Sequence, residues 1–155
     1  MHIKLIKAKA FQAINMDDYF DLGDFEFPIT TSAENAQLWF NRGLLWIYGF
    51  NHEEAMACFD FALEADPNCA MAHWGRAYAV GPNYNMHWEK FDETQRALAL
   101  AAGHEAAKAG VALADQVSPW EADMLRAVTK RFPQPDIADL EVLEAWNGEV
   151  AGRMR

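Results

Sequence analysis

The chain has 155 residues, enough for one compact domain that buries most of its unfolded surface without a metal or disulfide staple. Its 13 lysines and arginines against 23 aspartates and glutamates leave a net charge of −10, which disfavours nucleic acid as a partner. A 52% hydrophobic fraction excludes wholesale disorder, no apolar run is long enough to span a membrane, and two cysteines fit a reducing compartment better than a disulfide scaffold.

Residues 1–30 read as an irregular arm. Lys4, Lys7 and Lys9 break up its apolar residues and no small-residue cleavage site precedes Asp17, so no export signal is expected and the protein is placed in the cytoplasm. The first nine residues hold three lysines and no acid, whereas residues 17–66 hold eleven acids against one base, Arg42. Such a stretch reads as a solvated acidic face. A basic arm folding against its own acidic front is the alternative.

Residues 31–155 read as six helices and no sheet. Thr31 and Glu34 suggest a capping box opening a helix to about Tyr48, ended by Gly49. Asn51 caps a second, with Glu53 and Glu54 facing the positive end of its dipole, and Asp66-Pro67 stops it near Ala65. Asn68 caps a third, reaching about Val80 before Gly81-Pro82. After an aromatic loop, Asp92 opens a long alanine-rich helix to about Gln116. Ser118-Pro119-Trp120-Glu121 is the clearest start, with a serine cap, proline at the first position and glutamate at the third. Pro133 and Pro135 end that helix, and Asp136 begins the last, to about Ala151.

Spacing inside the first two helices is more specific than their existence. Trp39, Gly43 and Trp46, then Ala55, Phe59, Ala62 and Pro67, fall in the register of a two-helix unit of about 34 residues. Small residues let two antiparallel helices approach, large ones fill the remaining space, and the proline closes the unit. On these seven residues the chain resembles the tetratricopeptide-repeat superfamily. The likeness is sharp over residues 36–80 and loose from Asp92 onward. A second unit starts in register at His73 and Ala77, then carries the insertion 81–90 where a tight turn belongs. The strings from Phe50 to Ala55 and from Gly81 to Asn85 look like a less typical branch. The resemblance implies an all-α, short helical solenoid of about three antiparallel helix pairs, preceded by the arm, that binds something on its concave side.

Folding the hairpin about Pro67 brings His52 near residue 82. His52, Glu53, Asn83, Tyr84, Asn85 and Trp88 are therefore the candidate ligand-binding residues, and His52 with His87 the candidate ligands of a transition metal such as zinc. The plainer reading leaves His52 at a solvent edge and uses the asparagines to satisfy loop backbone, with no cofactor. Cys58 and Cys69 are too far apart along the hairpin for a disulfide and read as small buried hydrophobes. His73 reads as a packing histidine with one hydrogen bond; His104 and His2 have no evident partner. Trp39, Trp46 and Trp74 belong to the core by spacing, while Trp88, Trp120 and Trp146 are candidate anchors for a partner.

Two functions follow. The first is a non-catalytic interaction module that recognises a peptide or partner subunit. The second is a metal- or small-molecule-binding protein, or an enzyme, using the His52 and 81–90 site. The final helix carries Ile137, Leu140, Val142, Leu143, Ala145, Trp146 and Val150, too many for one buried stripe. A homodimer or a longer array is expected to cover the excess.

Overall fold

The computed structural model describes residues 19–136 and 139–153. His2 and the lysines of the arm lie outside the described residues. The described chain is all-α and solenoid-like. Its helices are α1 (Glu34–Tyr48), α2 (His52–Ala65), α3 (Ala70–Val80), α4 (Glu93–Val111), α5 (Pro119–Arg131) and α6 (Leu140–Arg153), with single 3₁₀ turns at Trp88–Lys90 and Ala114–Gln116. They pack as three pairs, α1 on α2, α3 on α4 and α5 on α6. α2 also packs on α3 and α4 on α5, while α1, α3 and α5 touch in succession. None of the described helices is long and apolar enough to cross a membrane.

The helix starts show which local signals decide. Asn51 accepts from the Glu54 amide, Asp92 and Gln95 form a reciprocal box, and Glu121 reaches back to Ser118. The box expected at Thr31 does not form. Its hydroxyl donates to the Asp66 carboxylate at 2.6 Å, and α1 begins at Glu34 with Ala33 as its uncapped flank. The same oxygen accepts from the Ala33 amide at 3.2 Å, a local turn in place of the expected cap. Asn68 is not the cap of α3 either: Cys69 flanks that helix, and the Asn68 amide donates to Asp66. α4 stops at Val111, short of Gln116, and α6 starts at Leu140, where Asp139 accepts from the Glu141 amide.

Gly49 does not supply the left-handed turn after α1. Its φ is −78°, and Phe50 takes φ 58° instead.

Two phenylalanines organise the core. A Cβ on Gly43 would lie 2.6 Å from the Phe59 ring and one on Gly75 2.5 Å from it, so Phe59 of α2 fills the space between α1 and α3. Phe132 is set the same way between Gly81 and Gly103, at 2.7 and 2.5 Å. Trp39 and Trp74 are buried as their spacing suggests, and Trp46 is partly so. Leu143 and Trp146 turn α6 into the core, while Leu140 stays exposed. Cys58 and Cys69 are buried free thiols, which burial pushes up to about 12 and about 11. At neutral pH both stay protonated and poorly nucleophilic.

Candidate functional site

His52 opens α2 and donates from Nδ1 to the Ala79 carbonyl at 3.2 Å, since a carbonyl can only accept. Burial, with the charge of Arg131 acting in the same direction, lowers its pKa against the opposing pull of that hydrogen bond. In the neutral tautomer Nε2 is then an acceptor, buried and without a partner. Arg131, 4% exposed, donates to the carbonyls of Tyr78 and Pro82 and lies over the Tyr78 ring. Burial pushes its guanidinium down to about 10, so it remains charged at neutral pH. His52 and Arg131 thus satisfy last-turn carbonyls of α3 that Gly81 leaves open.

None of the remaining candidates shares a hydrogen bond with His52 among the described residues. Asn83 spends its side chain on the amides of Asn85 and Met86, at 2.9 and 3.1 Å, closing its own turn. Tyr84 and Asn85 are exposed, and the Asn85 carbonyl accepts from Lys90. Glu53 and His87 are also exposed. Trp88, expected as a loop anchor, is 0% exposed and packs against Phe91 and Phe132. The insertion folds inward because Gly81 and Gly103 leave room for Phe132, and Trp88 covers that ring. Among the described residues no group of three or more His, Cys, Asp or Glu side chains could hold a metal.

A different assembly emerges on the other side of α1. Residues 19–30 form a strap laid across this helix. The Phe27 amide donates to Asn41 Oδ1 at 3.2 Å, the Ile29 amide donates to Gln37 Oε1 at 3.0 Å, and Gln37 Nε2 returns a bond to the Phe27 carbonyl at 2.9 Å. Gln37 and Asn41 stand four residues apart, hence one above the other on the same face, and they bond each other at 2.8 Å. The strap ends on α5. Glu121, 1% exposed, receives the Thr30 amide and hydroxyl and the Ser118 amide and hydroxyl. Desolvation raises the Glu121 carboxyl, but these donors outweigh it and hold the group below its ordinary value.

The strap begins at Tyr19, whose hydroxyl accepts from Trp46 Nε1 at 2.6 Å, donates to Glu54 at 2.9 Å and touches Cys58 Sγ at 3.2 Å. Arg42 lies over the Tyr19 and Trp39 rings at 4.4 and 4.6 Å. Between these anchors the strap presents apolar side chains outward. Phe20 is 63% exposed; Phe25, Phe27 and Leu38 are partly exposed, and Trp120 of α5 meets the Phe27 ring edge-on. A shallow hollow of about 580 Å³ lies beside them, lined in part by Asp24, Phe25, Glu26, Glu34 and Leu38.

Sequence reasoning missed this face. The capping box of Glu121 was visible, but its partner Thr30 lies 91 residues away, and nothing local marks Gln37 or Asn41 as more than polar helix residues. His73 behaves as expected, with one bond to the Pro67 carbonyl, and His104 finds the Phe132 carbonyl at 2.8 Å. No protein-family model, curated protein or solved structure matches the chain.

Proposed function

We propose that the protein is a tetratricopeptide-like, non-catalytic interaction module that recognises a peptide segment of a partner protein on the face formed by α1, the strap and the start of α5. One observation carries this reading. Phe25 and Phe27 stand partly exposed on a strap whose main chain is fixed by Gln37, Asn41 and Glu121, beside partly exposed Leu38 of α1 and Trp120 of α5. Aromatic side chains held in this way lose little freedom on binding, which is the property of an interface anchor. The tetratricopeptide kinship is supported by the close approach of Gly43 to Phe59, two residues of the spacing seen in the sequence.

A peptide array probed with labelled protein tests the reading. Defined sequences are expected to bind, and Phe25→Ser combined with Leu38→Ser should abolish binding while the far-ultraviolet circular dichroism stays unchanged. An array without signal, or signal indifferent to both substitutions, would remove the assignment.

A further inference from the structure

The chemistry of the partner is legible in the charges around this face. Residues 19–41 contain Asp21, Asp24, Glu26 and Glu34 and no base. All four carboxylates are exposed, and none takes part in an ion pair with another described residue. Arg42, the nearest base in the sequence, has its guanidinium over the Tyr19 and Trp39 rings. Asp24, Glu26 and Glu34 line the hollow that Phe25 and Leu38 share, with no base in its wall, whereas a smaller one of about 220 Å³ beside Phe20 holds both Asp21 and Arg42. The larger hollow thus sets Phe25 and Leu38 among charges of one sign, which repel acidic segments and draw basic ones.

Resting on the interaction reading above, we propose that this face docks a basic, apolar peptide segment of a partner protein. Aliphatic or aromatic side chains enter beside Phe25 and Leu38, and lysines or arginines reach Asp24, Glu26 and Glu34. The apolar contacts supply adhesion, while the rim selects the sign of charge.

The test uses the full chain and three synthetic peptides of one length and one apolar pattern, carrying lysine, serine or glutamate at the polar positions. Fluorescence anisotropy should show the lysine peptide binding about tenfold more tightly than the serine peptide at low salt, the glutamate peptide most weakly, and the gap closing as salt rises. The triple change Asp24→Asn, Glu26→Gln, Glu34→Gln should erase the preference without altering helicity. Equal binding of all three peptides would overturn the charge selection and leave the interaction reading standing. Loss of every peptide, together with an empty array, would overturn both. Lysine preference that survives the triple change would place the selecting charges elsewhere and overturn the proposal. Two further outcomes would give the face another occupant and overturn it as stated. One is lysine-peptide binding that appears only after Lys4, Lys7 and Lys9 are changed to glutamine. The other is sedimentation of a dimer that the triple change abolishes.

Discussion

Gly43 and Gly75 face each other across a single aromatic ring. A methyl group on either would come within 2.6 Å of Phe59, so the distance between α1 and α3 is set by the thickness of that ring and by the absence of two Cβ atoms.

Gly43→Ala is therefore expected to destabilise the fold by about 1–3 kcal/mol, through displacement of Phe59. Helix propensity alone would favour alanine by roughly 0.5–1 kcal/mol, so the sign of the change separates packing from propensity. Urea unfolding of Gly43→Ala, Phe59→Leu and the double variant measures it. The double variant should lose less than the two singles added together, because the smaller side chain makes room for the methyl. A stabilised Gly43→Ala would show that the two helices do not meet there.

Glu121 accepts from four donors and no cation, two from Thr30 that tie the strap to α5 and two from Ser118 at the start of its own helix. Glu121→Gln replaces one acceptor oxygen by a donor facing donors, at a cost of about 1.5–3 kcal/mol at neutral pH. The folded carboxyl sits below the ordinary 4.5, so the unfolded chain binds the proton first as pH falls. The contribution is fully present above 4.5 and is lost as pH drops through the depressed folded value. The stability gap between wild type and Glu121→Gln should consequently shrink below pH 4.5. A gap independent of pH across that window would mean the carboxylate is not what anchors Thr30.

Tyr19 covers Cys58 with its hydroxyl, 3.2 Å from the sulfur, whereas Cys69 is buried by other residues. Both thiols should react with a thiol reagent only as the protein opens. Tyr19→Ala is expected to accelerate modification of Cys58 and leave Cys69 unchanged, read by mass spectrometry of peptides after timed labelling. Equal acceleration of both would indicate general loosening instead of a lifted strap.

Phe50 occupies the left-handed region at φ 58°, where a bulky side chain is disfavoured, and its ring is exposed. Phe50→Gly should raise stability by about 0.5–1 kcal/mol, because the strain relieved exceeds the burial lost. Thermal unfolding decides it; a lower melting temperature would show that the ring contributes more than the turn costs.

The helical class and most element boundaries are set by local chemistry, and the sequence alone suffices for them. Asn51 and Asp92 cap amides three residues on, Glu121 reaches back to the amide of Ser118, and Asp66-Pro67 and Gly81-Pro82 cannot continue a helix whatever surrounds them. The register of Gly43, Phe59 and their neighbours is legible for the same reason, since 3.6-residue periodicity fixes which side chains share a face. Burial of the insertion and the placement of the strap are different in kind. Trp88 lies inside because Gly81 and Gly103 leave room for Phe132, and the order of residues around Trp88 carries no trace of that space. Thr31 sends its hydroxyl proton to Asp66 and accepts from the nearby Ala33 amide, and Thr30 finds Glu121, because a hydrogen bond to a carboxylate is charge-assisted and stronger than one to a neutral acceptor. Capping depends on residues a turn apart and is written in sequence. Which distant carboxylate stands within 3 Å of a threonine is decided only when the helices have packed.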